Sequence, residues 1–462
     1  MPADGAEPLD LRAPQRIHIV GIGGAGMSAI ATVLRSMGHS VSGSDLKESP
    51  VSVRLRSQGI AVAVGHTAEN VGEVDAVTFS PAVAPTNPEI VAAAGRGARV
   101  VARSGMLAAI CATRRSLAVA GTKGKTTTAS MLSLILIEAG LRPSFLIGAD
   151  VNEVGTNAVW DTGEWLVVEA DESFGTFQEL RPAWTVLTNV APDHLDHYGT
   201  FSRLRAAFDS FVGQASEGSV VSADDAEAAA IGHLHGSLSV GTTAGATFTM
   251  TELELHRSSV SFALTGPDGV ARGLTLGVPG LHNARNAALA VTSALQVGVP
   301  FETAAAAMAR FTGVTRRFEF RGEVNGVTFV DDYAHLPFAI EAALATARSG
   351  GWSRIVAVFQ PHRYTRTAEL AGQFGTAFTD ADVLVVTDVY GAGEAPVPGV
   401  SGRLIADAVR AQDERLPVVY APGWDELRQV VGSMLRPGDL CLTLGAGDLT
   451  TLPDELLESP QW

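Results

Sequence analysis

A glycine-rich loop between two apolar segments carries residue types that suit phosphate chemistry. It reads Gly121-Thr-Lys-Gly-Lys-Thr126, after the strand-like run 116–120 and before a long helix-like run. Glycines let backbone N–H groups turn toward a phosphate, Lys125 supplies a charge for the β- and γ-phosphate oxygens, and Thr126 offers a hydroxyl to Mg²⁺. The loop predicts a shortened phosphate-binding motif. A glycine-rich turn without a ligand is the alternative, because Val119 stands where a full Walker A motif has glycine.

A second glycine motif lies near the start of the chain. Gly21-Ile-Gly-Gly-Ala-Gly26 follows the apolar run IHIV, and Asp45 ends the next strand-like run. This spacing is typical of a dinucleotide-binding turn, but a helix N-terminus with glycines binds the diphosphate of a UDP-sugar equally well. A nicotinamide dehydrogenase is therefore a candidate function, ranked last because the chain also carries the loop at 121–126.

Acids and histidines follow two further strand-like runs. The segments are Glu169-Ala-Asp-Glu-Ser173 and Asp193-His-Leu-Asp-His-Tyr198. Mg²⁺ prefers oxygen ligands and keeps several waters, so Glu169 with the loop threonine suffices for one ion, and His194 would be an unusual ligand of a second. Ordinary solvated loop acids remain plausible for Glu172 and Asp196.

The remaining polar clusters lie later in the chain. The segment His282-Asn-Ala-Arg-Asn286 is either a helix start capped by its own side chains or a contact to adenine and ribose. Arginines recur at 316–317 and in the segment 361–366 after the run RIVAVFQ, and their forked donors suit a carboxylate or phosphate. A surface salt-bridge face is the alternative. Since these loops all follow strands, we predict that they share a cleft.

Length and periodicity indicate the elements that position these residues. A chain of 462 residues exceeds one hydrophobic core, and 46% hydrophobic with 6% aromatic residues favours helices packed on sheets. Alternating strand-like and helix-like runs predict an α/β protein of three domains: an N-terminal Rossmann-like domain at 1–107, a central P-loop ATPase-type domain at 108–314 and a C-terminal Rossmann-like domain at 315–462. Alternation with period two at 247–266 predicts antiparallel strands appended to the central sheet. Residues 1–15 are predicted to form a loose tail.

Charge and cysteine content exclude several classes of partner. The net charge is −16, which argues against nucleic acid or an anionic membrane, and no apolar run is long enough for membrane insertion. Two distant cysteines, Cys111 and Cys441, suit a reducing, cytoplasmic location and are expected in the core. We expect small-molecule partners and either a monomer or a homodimer.

Taken together, the motifs resemble those of the Mur ligases almost from end to end. The resemblance rests on GIGGAGMSAIA and VSGSD, then on GTKGKTTT, EADES, TNVAPDHLDHY and PGLHNARNA, and finally on TGVTRRFE, DDYAH, FQPHRYTRT, DVYGAGE and LGAGD. It implies a ligase that uses ATP with Mg²⁺ (or Mn²⁺), in which the lactyl carboxylate of UDP-N-acetylmuramate becomes an acyl phosphate that an amino acid, L-alanine or another small one, then attacks.

The resemblance also assigns roles to individual residues. It implies ATP contacts at Gly121, Thr122, Lys123, Gly124, Lys125, Thr126, Thr127, His282, Asn283, Asn286, Arg316 and Asp332. It implies UDP-sugar contacts at Gly23, Gly24, Ser44, Asp45 and His66, and amino-acid contacts at Tyr333, His335, Arg363 and Arg366. The implied metal ligands are Thr126, Glu169 and His194, and the implied catalytic residues are Lys125, Glu169, His194 and His335.

Three departures from the family motifs leave the substrates open. Lys123 replaces a histidine, Phe174 replaces an aspartate, and the segment 336–339 reads Leu-Pro-Phe-Ala where the family has His-Pro-Thr-Glu. The alternatives are a muropeptide-recycling ligase and a nucleotide-binding paralogue with altered substrate or no catalysis.

Overall fold

The computed structural model describes residues 9–256 and 258–459. It divides into two compact units. The first holds residues up to 253 with 261–276 and 282–312, and the second holds residues from 313 onward with the short stretches 254–260 and 277–281. Three sheets with helices between their strands confirm the predicted α/β fold with three domains. The predicted boundaries after 107 and 314 stay predictions.

The first sheet is an open parallel sheet of five strands in the order β3-β2-β1-β4-β5. Its central strand β1 is almost wholly buried, as expected where helices cover both faces of a parallel sheet. The strand order changes direction beside β1, so the loops at the carboxyl ends of β1 and β4 diverge and leave a crevice. The elements are β1 (Arg16–Val20), α1 (Ala25–Ser36), β2 (Ser40–Asp45), α2 (Pro50–Ser57), β3 (Ala61–Val64), β4 (Ala76–Phe79), α3 (Pro88–Gly95), β5 (Arg99–Ala102) and α4 (Arg103–Cys111).

The predicted loose tail is wrong for the part that the structure describes. Leu9 and Leu11 are 7% and 4% exposed and belong to the hydrophobic core of the first unit. The backbone N–H of Gln15 donates to Nδ1 of His39 at 3.0 Å. Two leucines in a polar segment are therefore enough to attach it to the core, while residues 1–8 lie outside the described residues.

The central sheet has ten strands in the order β15-β14-β13-β12-β11-β10-β6-β9-β7-β8. Strand β6 lies between β10 and β9 and pairs with both in parallel. Its elements are β6 (Arg115–Ala120), α5 (Lys125–Glu138), β7 (Ser144–Val151), β8 (Thr156–Val159), β9 (Trp165–Glu169), β10 (Trp184–Leu187), α6 (Leu195–Tyr198), α7 (Phe201–Val212), β11 (Gly218–Ser222), α8 (Ala226–His235), β12 (Leu238–Gly241), β13 (Phe248–Leu255), β14 (Val260–Thr265), β15 (Ala271–Leu276), α9 (Leu281–Gln296) and α10 (Phe301–Arg310).

The central sheet positions the phosphate loop between a strand and the buried helix α5. Helix α5 is buried from Thr128 to Leu136, and this part of its sequence contains no charged residue. Strands β13–β15 extend the sheet from β12, which confirms that strands are appended there. The junction differs from the predicted antiparallel arrangement, because β12 and β13 pair in parallel. The carboxyl ends of β6, β9 and β10 lie side by side at one edge of the sheet.

The second unit contains a six-stranded sheet in the order β16-β17-β21-β18-β19-β20. Strand β16 pairs antiparallel with β17, and the other pairs are parallel. Its elements are β16 (Glu319–Val324), β17 (Val327–Asp332), α11 (Pro337–Ser349), β18 (Arg354–Phe359), α12 (Tyr364–Phe374), β19 (Val383–Val386), α13 (Arg403–Gln412), β20 (Val418–Tyr420), α14 (Trp424–Met434), β21 (Asp439–Leu444) and α15 (Leu452–Glu458).

Two predictions from composition can be compared with the structure. Cys111 and Cys441 are both buried and unpaired with each other, as expected of core residues, and burial raises the pKa of each thiol to about 12. Across residues 9–256 and 258–459, no helix combines the length and the hydropathy that a membrane span needs.

Candidate functional site

The loop at 121–124 adopts a backbone conformation that requires glycine at two positions. Gly121 has φ +134°, and a Cβ there would lie 2.0 Å from Oγ1 of Thr188. Gly124 has φ +82°, and a Cβ there would lie 2.6 Å from Oδ1 of Asn286. The loop therefore fits closely between the end of β10 and the start of α9, and side chains at these two glycines would displace it.

Hydrogen bonds from the end of β10 hold this loop in place. The backbone N–H of Lys123 donates to Oδ1 of Asn189 at 3.0 Å, and Nδ2 of Asn189 donates back to the Lys123 carbonyl at 2.8 Å. The hydroxyl of Thr188 donates to the same carbonyl at 2.6 Å. Sequence reasoning missed Thr188 and Asn189, although they stand in the motif TNVAPDHLDHY that supported the family resemblance.

Lys125 forms a buried ion pair behind the loop. Its Nζ donates to Oε1 of Glu172 at 2.9 Å and lies 2.7 Å from Oε2, and it also donates to the Gly121 carbonyl at 2.6 Å. The two side chains are 13% and 1% exposed. Burial raises the pKa of Glu172, and Lys125 only partly offsets this effect. Of the alternatives left open by the sequence, the solvated loop acid is therefore wrong for Glu172.

Thr126 and Glu169 place two oxygen atoms side by side. Oγ1 of Thr126 donates to Oε1 of Glu169 at 3.0 Å, and Oε2 of Glu169 accepts from the backbone N–H of Gly148 at 2.6 Å. Two neighbouring ligands of an octahedral Mg²⁺ lie about 2.9 Å apart when each bond is about 2.05 Å. The pair thus fits Mg²⁺.

His194 lies next to Ser173, which also contacts Asp171. Its Nε2 is 3.2 Å from the hydroxyl of Ser173, which donates to Oδ1 of Asp171 at 2.8 Å. Burial would raise the pKa of Asp171, but Lys125 and the bonds from Ser173 outweigh it and lower the pKa. The structure thus joins Thr126 directly to Glu169 but not to His194. No group of three or more His, Cys, Asp or Glu residues in the described chain is arranged to hold a metal ion.

Helix α9 contributes the other nucleotide candidates of the first unit. Asn286 is 7% exposed and packs against Gly124 of the loop, and Asn283 is 6% exposed. His282 is exposed at the start of the helix. Thr127 is half-buried in the first turn of α5. The side chains of Phe174 and Asp196 fall outside the described residues.

The candidates for the UDP-sugar form two pairs at the carboxyl ends of β1, β2 and β3. The backbone N–H of Gly23 donates to Oδ2 of Asp45 at 2.8 Å, and Gly24 caps the N-terminus of α1. The hydroxyl of Ser44 is 2.9 Å from Nδ1 of His66. These residues follow the carboxyl ends of parallel strands, which is the edge at which an open α/β sheet binds its ligands.

The second unit gathers most of its candidates around an aromatic group. Cζ of Arg316 lies 5.0 Å from the ring centre of Tyr333, whose ring is 5.2 Å from that of His335. Nδ1 of His335 is 2.9 Å from the Tyr333 carbonyl, and the ring lies 5.4 Å from that of His362. Nη1 of Arg366 is 3.2 Å from Nδ1 of His362.

His362 was not predicted, although it lies inside the motif FQPHRYTRT. Its ring stacks on Tyr390 at 5.8 Å. Burial, with the nearby arginines, lowers the pKa of His335 and of His362 to about 4, so both rings are neutral at pH 7. Arg363 caps α12 with φ +71°, a left-handed conformation that is costly for a residue with a side chain.

The other candidates of this unit have structural contacts. The carboxylate of Asp332 accepts backbone N–H bonds from Phe318 at 2.8 Å and from Ala334 at 2.7 Å. In the departing segment, Leu336 caps α11 and Ala339 packs against the core of the unit. The roles predicted for all these residues, and the cleft that they are predicted to share, stay predictions.

The site combines a glycine loop with a lysine, a threonine and two carboxylates at the end of parallel strands. This combination is typical of enzymes that transfer a phosphoryl group from a nucleotide. Three family models match the chain: Mur ligase family, catalytic domain, over residues 16–115; Mur ligase middle domain over 119–294; and Mur ligase, glutamate ligase domain, over 316–447. The chain belongs to the Mur ligase family, which confirms the resemblance inferred from the motifs. The nicotinamide dehydrogenase candidate is thereby set aside.

Curated relatives and solved structures are similar over nearly the whole chain. The UDP-N-acetylmuramate–L-alanine ligase of Kineococcus radiotolerans is 46% identical over 96% of this chain and 95% of its own, and that of Anaeromyxobacter sp. (strain Fw109-5) is 42% identical over 96% and 97%. The structure of UDP-N-acetylmuramate-alanine ligase from Thermotoga maritima is 30% identical, covers 97% of this chain and 99% of that one, and has a TM-score of 0.82. A murein peptide ligase from Psychrobacter arcticus is 25% identical over 96% and 98%, with a TM-score of 0.69.

Proposed function

We propose that this protein is an ATP-dependent ligase that joins L-alanine to the lactyl carboxylate of UDP-N-acetylmuramate, releasing ADP and phosphate. One observation carries the proposal. Lys125 and Thr126, adjacent at the start of α5, each contact a separate carboxylate, Glu172 and Glu169, beside a loop that only glycine can form. The names of the full-length relatives support the choice of substrates.

The proposed chemistry follows from the poor reactivity of a carboxylate toward amines. The γ-phosphoryl group of ATP is transferred to the lactyl carboxylate, and the amine of the amino acid attacks the resulting acyl phosphate and displaces phosphate. Lys125 balances charge on the β- and γ-phosphate oxygens, and the N–H groups at the start of α5 face them. Thr126 and Glu169 would hold Mg²⁺, which supplies further charge neutralisation.

The proposed amino-acid site lies in the second unit. Arg363 and Arg366 supply forked donors that suit the α-carboxylate of the amino acid. The carbonyl of Tyr333 can only accept, so Nδ1 of His335 carries the proton in that hydrogen bond and the neutral ring leaves Nε2 as an acceptor. We propose that this atom orients the amine of the amino acid during attack.

Phosphate release from ATP tests this function. The assay combines purified protein, Mg²⁺ and UDP-N-acetylmuramate with a panel of L-alanine, glycine, L-serine and D-alanine, and we expect the highest kcat/KM with L-alanine. Lys125→Ala should abolish turnover, whereas Lys47→Ala, at an exposed lysine, should not. Absence of release with every amino acid would refute the ligase.

A muropeptide-recycling ligase is the second candidate. The structural similarity to the murein peptide ligase favours it, and the changed residues Leu336, Phe338 and Ala339 lie within four residues of His335 in the proposed amino-acid site. Free L-alanyl-γ-D-glutamyl-meso-diaminopimelate in place of the amino acid distinguishes the two. Release that requires the tripeptide would support recycling.

A nucleotide-binding paralogue without catalysis is the remaining alternative. It is favoured only by the departures, of which Lys123 lies in the phosphate loop itself. Calorimetry with ATP separates it from an enzyme, since binding of ATP without turnover on any donor or amino acid would support the paralogue.

A further inference from the structure

Glu89 is a fully buried acid for which the proposed chemistry has no role. It stands in the first turn of α3, and its side chain is 0% exposed. Its carboxylate lies against four donors: Nε2 of His18 at 3.2 Å, the hydroxyl of Ser44 at 2.5 Å, Nδ2 of Asn70 at 2.6 Å and the backbone N–H of Thr67 at 3.1 Å. Ser44 belongs to the proposed UDP-sugar site, so this buried acid reaches the site through it.

The charge of Glu89 fixes the direction of the hydrogen bonds around it. Burial would raise the pKa of Glu89, but the bonds from His18, Ser44 and Asn70 outweigh burial and lower it to about 2. An ionised carboxylate only accepts, and a hydroxyl has one proton. Ser44 must therefore donate its proton to Glu89 and accept from its other neighbour, Nδ1 of His66 at 2.9 Å.

This chain of bonds determines which nitrogen of His66 carries the proton. With Nδ1–H committed to Ser44, the neutral ring has an unprotonated Nε2. The His66 side chain is 12% exposed, and its nearest approach to Glu89, 3.7 Å from Nδ1 to Oε1, is longer than a hydrogen bond. The Glu89 carboxylate already accepts hydrogen bonds from the four other donors.

We propose that Glu89 is a positioning residue that acts through Ser44 to present the Nε2 lone pair of His66 to a hydrogen-bond donor, a hydroxyl or the imide N–H, of the nucleoside part of the sugar nucleotide. The proposal rests on the proposed function for the identity of that ligand. It makes the site selective for a donor at this point. A hydrogen-bond acceptor of the ligand, such as a phosphate oxygen, would face the lone pair of the neutral ring and could form no hydrogen bond with it.

An isosteric substitution should reverse the polarity of this chain. In Glu89→Gln, the amide oxygen must face the backbone N–H of Thr67, which cannot become an acceptor. The amide N–H groups then face both Ser44 and Nε2 of His18, so His18 changes tautomer and accepts at Nε2. The hydroxyl of Ser44 also accepts from the amide and donates to Nδ1 of His66 instead. His66 would carry its proton on Nε2 and offer a donor to the ligand, with almost no change in shape.

Nitrogen NMR of the histidine ring reads this directly. Long-range ¹H–¹⁵N spectra at pH 8, with His66 assigned from His66→Gln, should show the neutral Nδ1–H form in the wild type and the neutral Nε2–H form in Glu89→Gln. Glu73→Gln is the matched control, because that side chain is 93% exposed. A wild-type ring that is charged, or protonated on Nε2, would overturn the proposal.

Ligand binding supplies the second measurement. Calorimetry with UDP should show affinity reduced about 10- to 100-fold in Glu89→Gln and unchanged in Glu73→Gln, since a good hydrogen bond becomes an opposed pair of donors. KM for UDP-N-acetylmuramate should rise while kcat and KM for ATP stay near wild type. UDP methylated at N3 shows which group of the ligand is the donor. If Glu89→Gln no longer weakens binding of this analogue, the donor is the imide N–H; if it still does, the donor is a hydroxyl.

Ser44→Ala keeps the test decisive if Glu89→Gln folds poorly. Removing the hydroxyl disconnects Glu89 from His66, so UDP affinity should fall and adding Glu89→Gln should lower it no further. Additive losses would overturn the proposal. Failure of the proposed function looks different: the wild type would then show no turnover or no UDP binding, whereas failure of this inference leaves both intact and the ring form or the affinity of the variants unchanged.

Discussion

Replacing Lys125 by methionine should separate the structural role of the lysine from its chemical role. The change keeps most of the apolar side chain, which becomes one atom shorter, but leaves Glu172, 1% exposed, without its cation. Breaking a buried ion pair by removing one partner costs about 3–5 kcal/mol. Glu172 can limit that cost by taking up a proton, so the loss depends on pH.

The sign and size of the pH dependence follow from the raised pKa. Glu172 already has a pKa above its usual 4.5 because of burial, and removing Lys125 raises it further. A raised pKa means that the folded state binds more protons than the unfolded state, so stability is full below pH 4.5 and is lost as pH rises through the folded pKa. At about 1.4 kcal/mol per pH unit, the deficit can reach at most about 5 kcal/mol at pH 8 and about 1.4 kcal/mol at pH 5.5. We expect about 3 kcal/mol at pH 8 and about 1 kcal/mol at pH 5.5.

Hydrogen exchange of the amides in β6 and β9 is the appropriate measurement, because a chain of several domains does not unfold in one step. The double variant Lys125→Met/Glu172→Gln should recover most of the lost protection, since no charge is left buried. Lys47→Met, at an exposed lysine, is the control. Neither Lys125 variant should release phosphate from ATP.

Two results would refute this reasoning. If the double variant is as unstable as the single one, the unpaired carboxylate is not the cause of the loss. If Lys125→Met retains turnover, the lysine does not neutralise the transferred phosphoryl group.

Three further predictions concern the metal, the loop and the second unit. Thr126→Val removes a hydroxyl 3.0 Å from its carboxylate neighbour, and the Mg²⁺ concentration for half-maximal phosphate release should rise at least about tenfold, while Thr126→Ser retains it; equal Mg²⁺ dependence would contradict the metal site. Gly121→Ala would place a Cβ 2.0 Å from the hydroxyl of Thr188, directly after β10, and should abolish ATP binding in calorimetry, while Gly372→Ala, which meets nothing within 4 Å, should not. Because the pKa of His335 and of His362 is lowered to about 4, their contribution to stability is full above pH 6.5 and is lost as the pH falls toward 4. His362→Gln should therefore reduce the dependence of the unfolding temperature of the second unit on pH between 6.5 and 4. An unfolding temperature that depends on pH as strongly as in the wild type would refute the burial of that ring.

Local sequence patterns were sufficient for the fold and for the phosphate loop. Parallel strands buried on both faces give continuous apolar runs, and glycines between such a run and a helix mark a turn whatever surrounds it. Gly121 and Gly124 were therefore recognisable in isolation. The attachment of Leu9 and Leu11 to the core was not, because two leucines in a polar segment carry no periodicity.

The sequence by itself determined the α/β fold of three domains, the two glycine loops and the membership of a ligase family. Tertiary structure decided which acids belong to the site. Glu172 contacts Lys125 from 47 residues away and Glu89 contacts Ser44 from 45 residues away. Neither acid differs in sequence from a solvated one, because burial and partners depend on which strands lie side by side. That arrangement makes the carboxylate next to the phosphate loop a buried counter-ion and gives Glu89 its route to His66.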